Sequence, residues 1–194
     1  TTFDFAGGIG TSSRTVDLPE GGGFTVGVLV LSNFGKMRNL TIDGGVVGRQ
    51  LDKESNHAER RERSEGSIIV VVATDIPLVG SQLKLVSKRA ALGLGRVGSH
   101  AASSSGEIIL AFSTGNRTPR PTRTGDHFIH LKCISEYHIN IVYEAVIEAT
   151  EEAVLNAIFC SNGMAGRQKR WCPPIPHERV IEILSKGRTI HESH

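Results

Sequence analysis

Runs of apolar residues alternate along the chain with glycine-rich and charged stretches, and their periods predict the elements. Phe24–Leu31 (FTVGVLVL) is long and β-rich enough for a buried strand, and Leu40–Ile42 reads as a short continuation after a turn. Ser67–Thr74 (SIIVVVAT) is apolar on both faces, as an interior strand would be. In the stretch SQLKLVSKRAALGLG, Leu83, Val86, Ala90 and Leu94 recur at helical spacing. Glu107–Ser113 (EIILAFS) predicts another strand. The longest helix is predicted over Ile139–Phe159, where Ile139, Val142, Val146, Ala149, Ala153 and Ala157 form an apolar stripe against Glu144, Glu148, Glu151 and Glu152. Pro173, Pro174 and Pro176 then break the chain before a short helix, His177–Leu184.

What separates these elements is equally informative. The first segment, with Gly7, Gly8, Gly10 and then Gly21, Gly22 and Gly23, reads as turns and close backbone approaches. Asp52–Gly66 (DKESNHAERRERSEG) has no apolar periodicity and reads as a solvated linker, as does the Pro/Thr/Arg loop Arg117–Asp126. Phe128–Cys133 fits neither period. Strands and helices alternate without strict βαβ regularity, so the class is α+β or a layered α/β fold.

Composition narrows the function classes. The 194 residues suffice for one sizeable core, with 39% hydrophobic and 22% charged residues, as in a globular domain. A net charge of +2 and 5% aromatics give no footprint for nucleic acid or anionic lipid. The longest apolar run, Ile68–Ala73, is too short to span a bilayer, so no membrane partner is expected. Cys133, Cys160 and Cys172 leave one thiol over in any pairing, which points to a reducing, cytoplasmic setting. The chain starts at Thr1, so a piece of a longer protein is expected, with an upstream segment absent.

Four short patterns carry little. GLGRVG (Gly93–Gly98) matches GxGxxG but closes a helix instead of joining a strand to one. Ser81 and Lys84 make an isolated SxxK. His127 and His130 lack the carboxylates or thiols that would complete a metal site. Asn39 and Asn116 head sequons that matter only in a secreted protein.

The chemistry lies in EGSIIVVVATD. Gly66 precedes a hydroxyl residue, Ser67, where the charged linker meets a buried strand. A serine hydroxyl can attack the carbonyl before it, converting the peptide to an ester that water cleaves. The freed α-amine, with an ordinary pKa of about 7.7–8.0, is then suited to act as a general base beside that hydroxyl. A bulky residue at position 66 would obstruct the turn.

FDFAGGIGTSSR (Phe3–Arg14), VGVLVLSNFG (Val26–Gly35), GSIIVVVATDIPL (Gly66–Leu78), SSGEIILAFSTGN (Ser104–Asn116) and EAVIEATEEAVLNAI (Glu144–Ile158) occur in one order along nearly the whole chain. Together they resemble the DmpA/BapA family, the L-aminopeptidase/D-esterase and β-peptidyl aminopeptidase enzymes of peptidase family S58, over the C-terminal half of the precursor. The resemblance implies a four-layer αββα sandwich, similar to N-terminal-nucleophile hydrolases and to ornithine acetyltransferases. It implies residues 1–66 as the end of an α-chain and 67–194 as a β-chain beginning with the nucleophile, together one structural domain. Ser67 takes the nucleophile position, Ser105 that of a proton relay, Glu107 that of the carboxylate orienting the Ser67 amine, and Asn33, in the SNFG turn, that of an oxyanion donor. Because i and i+2 on an extended segment share a face, Ser105 and Glu107 can converge on one site. The implied reaction hydrolyses N-terminal residues from small peptides, amides or esters, with no cofactor and no metal, in a homo-oligomer. An acyltransferase of the ornithine acetyltransferase type and an inactive relative of the same fold are the alternatives. The segments LKCISEYHINIV and RQKRWCPPIP depart from the family pattern, which bears on substrate preference and assembly.

Overall fold

The computed structural model describes residues 1–18, 22–55, 66–118, 128–166 and 171–191, the last five by backbone alone. Most of the predicted linker (56–65), most of the Pro/Thr/Arg loop, His127 and the RQKR portion of the departing segment lie outside the described residues. A four-stranded sheet runs in the order β1 (Ile9–Asp17), β2 (Gly23–Asn33), β3 (Gly66–Thr74), β4 (Ser105–Ser113). Neighbours β1/β2 and β2/β3 are antiparallel, whereas β3/β4 are parallel. The parallel step needs a crossover, and α2 (Gly80–Arg96) supplies it. A short helix α1 (Gly48–Glu54) precedes β3; α3 (Ile139–Phe159) and α4 (His177–His191) follow β4, with a two-stranded ribbon of β5 (Met164–Ala165) and β6 (Trp171–Cys172) between them. The fold is α+β.

Helix α3 lies on β1 and β2, and α2 packs on α3 and β4. The predicted stripe is the buried face of α3, from Ile139 and Val142 through Ala149, Ala153 and Ala157. It meets Val26, Val28 and Val30 of β2 and Ile68, Val70 and Val72 of β3 in one core. Fully buried side chains of this size contribute about 1.5–3 kcal/mol each. Gly93 allows the two helices to touch: a Cβ there would lie 2.7 Å from Thr150 Cβ and at contact with the Ile147 carbonyl. The GLGRVG glycine is thus a packing residue inside α2.

Four expectations are corrected. The glycine-rich opening contains β1, whose helix-facing side runs Gly10, Ser12, Arg14 and Val16: Ser12 Oγ donates to Glu152 Oε2 at 2.6 Å, and Arg14 Nε donates to Glu148 at 3.0 Å. Leu40–Ile42 is no strand; Leu40 is buried in the core, and Ile42 forms a lone bridge to Gly45. The last helix runs on to His191, and Asp52–Glu54 belong to α1, not to the linker.

The opposite face of the sheet is apolar and open. Ile9, Leu29, Leu31, Ile69, Ile108, Leu110 and Phe112 all stand exposed there. The described residues therefore build two adjacent layers, helices and one sheet, of the four that the sequence led us to expect.

Candidate active site

The open face carries the chemistry of the predicted site at its edge. Ser67 is the second residue of β3, and its register partner on β2 is Asn33. Asn33 is thus the last residue of a strand and not part of the following turn. Directly opposed residues of an antiparallel pair put their side chains on the same face, and here both are exposed. Asn33 Oδ1 accepts a hydrogen bond from the Thr1 nitrogen at 3.0 Å. With the oxygen so engaged, the Nδ2 end of the amide carries the donors.

Gly66 has a packing reason. It begins β3 instead of lying in a turn, and a Cβ at this position would collide with the Asn33 carbonyl oxygen and come within 2.9 Å of Phe34 Cα. The residue before Ser67 is small because the end of β2 crosses directly over it.

Ser105 and Glu107 are brought together: Ser105 Oγ donates to Glu107 Oε1 at 2.8 Å. The parallel register, however, pairs Ser67 with Gly106 and Gly66 with Ser105. Ser105 and Glu107 therefore project from the helix-side face, while the Ser67 hydroxyl projects from the open one. Ser105 lines a small cleft with Gly66, Phe34, Lys36, Arg38 and His100, which places its hydroxyl on the helix side near the start of β3. The i, i+2 rule placed the two residues together but not on the hydroxyl's side.

Gly106 is a residue that the sequence reading passed over. A Cβ there would stand 3.4 Å from Ser67 Oγ, so the glycine leaves space beside the hydroxyl. Its position between Ser105 and Glu107 was the available signal. Among the described residues no group of His, Cys, Asp and Glu is arranged to hold a metal ion, and no helix is long and apolar enough to cross a membrane. His130 is exposed, and Ser81 and Lys84 lie in the first turns of α2 without forming part of this site.

The chain matches the model of peptidase family S58 over residues 1–172. It is 36% identical over 199 aligned residues to the β-peptidyl aminopeptidase BapA of Sphingosinicella microcystinivorans, covering 97% of this chain and 50% of that protein. Among solved structures, the L-aminopeptidase D-Ala-esterase/amidase of Ochrobactrum anthropi, described as a variant of the Ntn hydrolase fold, superposes with a TM-score of 0.85 at 37% identity, over 96% of this chain and 50% of that one. The PH0078 protein of Pyrococcus horikoshii OT3 gives a TM-score of 0.82 at 40% identity, over 96% and 49% of the two chains. The chain spans about half the length of the curated relatives it matches.

Proposed function

This chain belongs to peptidase family S58, and we propose that it carries the nucleophile of a self-cleaving serine aminopeptidase acting on small peptides, amides or esters. The observation that carries the reading is the register pair Asn33–Ser67, which sets an amide donor beside a strand-end hydroxyl directly after a glycine. In maturation the Ser67 hydroxyl oxygen bonds to the Gly66 carbonyl carbon, and the carbon–nitrogen bond breaks as the nitrogen takes a proton. Water then hydrolyses the ester, leaving a carboxylate on Gly66 and a free amine on Ser67. Residues 1–66 end one chain and residues 67–194 belong to the next, with β2 and β3 holding the two together.

In turnover the same hydroxyl attacks the substrate carbonyl while the Ser67 amine takes its proton, and Asn33 donates to the developing oxyanion. Glu107 orients that amine from the helix side, and Ser105, hydrogen-bonded to Glu107, relays the proton. The leaving amine collects the proton, and water releases the acyl group. The exposed apolar sheet face supports a second sheet, from an upstream segment, completing the αββα sandwich and the substrate pocket. Replacing Ser67 by alanine tests this reading in the complete protein. The change removes the only oxygen able to form the ester and costs almost no volume. Both self-cleavage and amide hydrolysis should vanish while the fold persists; retention of either moves the nucleophile elsewhere.

A further inference from the structure

Four consecutive residues at the start of the chain grip the segment that carries Asn33. The Thr1 nitrogen donates to Asn33 Oδ1 at 3.0 Å. Thr2 Oγ1, fully buried, shares a hydrogen bond of 2.6 Å with Ser32 Oγ and reaches the Ser32 carbonyl at 3.3 Å. The Phe3 nitrogen donates to the Phe34 carbonyl at 2.8 Å. Asp4 Oδ2 accepts from the Met37 nitrogen at 2.9 Å. The residue before Asn33, the residue itself, the one after it and the end of the following loop are all held by one turn.

That turn holds one residue, Phe3, against the backbone's preference. Thr2 and Phe5 exchange two hydrogen bonds, of 2.9 and 3.0 Å, across Phe3 and Asp4. Both central residues occupy the left-handed region, at φ 51° and 65°; aspartate is readily accommodated there, but a bulky aromatic such as Phe3 is an outlier. Strain of this kind persists only where its surroundings over-determine it, and it concentrates at functional sites. Here the Phe3 ring is driven fully into the core, with its centroid 5.2 Å from that of Phe34. Gly35, itself at φ 83°, makes room, since a Cβ there would lie 2.6 Å from the Phe3 ring. The consequence of this locked arrangement falls on Asn33, whose two chain neighbours, Ser32 and Phe34, are both held by the turn.

We propose that the Thr1–Phe5 turn is the positioning element for Asn33, fixing the amide's orientation and its height over Ser67 for the reaction. This rests on the oxyanion role of Asn33 proposed above. Thr2 is a positioning residue, acting through Ser32 and Asn33 and touching no substrate.

The test is a double-mutant cycle on the complete protein, with kcat and KM measured on an amino-acid amide. Thr2→Val keeps the shape and removes the hydroxyl; Thr2→Ser restores it. With Asn33 present, Thr2→Val should lower kcat about 10- to 10²-fold with KM nearly unchanged, the size expected of a small misplacement, and Thr2→Ser should recover most of the loss. In an Asn33→Ala background the same Thr2→Val change should cost almost nothing further. An equal loss in both backgrounds, or an unaltered kcat, overturns the proposal. Should Thr2→Val fail to fold, Asp4→Gly keeps the turn, removes the acceptor for Met37 and is held to the same two outcomes. An Asn33→Ala protein with normal kcat would instead overturn the oxyanion reading, a separate result.

Discussion

Asn33 and Ser67 face each other across the ends of β2 and β3, as register partners on the open face of the sheet. One strand ends in an amide and its neighbour begins with a glycine and a hydroxyl. The sheet's own hydrogen-bond ladder, rather than a flexible loop, sets the separation of the two side chains, which is the rigidity that the proposed pair of donor and nucleophile would require.

The first prediction concerns that amide. Removing one oxyanion donor typically costs 10²–10³-fold in kcat. Asn33→Ala should show a loss of about this size, with KM changed far less. A kcat within a few-fold of the parent protein would reduce Asn33 to a strand terminus.

Glu107→Gln retains the shape of the side chain and an oxygen for Ser105 Oγ to donate to, but removes the charge. If the carboxylate orients the Ser67 amine, turnover should fall by about 10²–10⁴-fold in a folded, already cleaved protein. Near-normal turnover would assign Glu107 to packing alone.

Gly66 gives a graded series. Alanine brings a Cβ against the Asn33 carbonyl oxygen and Phe34 Cα, and valine adds two methyl groups to the same crowding. Overpacking of this kind costs about 1–3 kcal/mol. The account predicts cleavage slowed by Gly66→Ala and slowed further by Gly66→Val, followed as a time course on denaturing gels. Equal rates for all three proteins would remove the steric argument.

Away from the site, helix α4 is fastened to α1 by charge. Arg179 Nε donates to Glu54 Oε2 at 2.8 Å, and a second guanidinium nitrogen engages the other carboxylate oxygen. The hydrogen bond from Arg179, and then that from Gln50, holds the Glu54 pKa at about 2. A carboxylate depressed in the fold contributes its stabilisation above its unfolded pKa and loses it as pH falls toward the folded value. The contact should therefore persist at neutral pH and weaken between about pH 4.5 and 2. Following the Glu54 carboxyl by NMR checks this: Arg179→Ala should return its midpoint toward the ordinary range, and an unmoved midpoint would contradict the cause.

The sequence made some of this legible and left the rest to tertiary structure. Helix α3 was readable at both ends because its stripe is long and strictly periodic, and the interior strand at Ser67–Thr74 because it is apolar throughout. Strand β1 escaped because only Val16 of its inward positions is a large apolar residue; Gly10 is bare, and Ser12 and Arg14 meet carboxylates of α3 instead of oil. No local pattern could have revealed the Asn33–Ser67 pairing, since register is fixed by the whole sheet. For the same reason the shared face of Ser105 and Glu107 was legible, but not that Ser67's hydroxyl would be on the other one.

The most direct measurement is the intact mass, under denaturing conditions, of the matured and active protein, with sequencing of its fragments from their amino termini. The account predicts two polypeptides, one ending at Gly66 and one beginning at Ser67. A single unbroken polypeptide in a preparation that hydrolyses amides would contradict it.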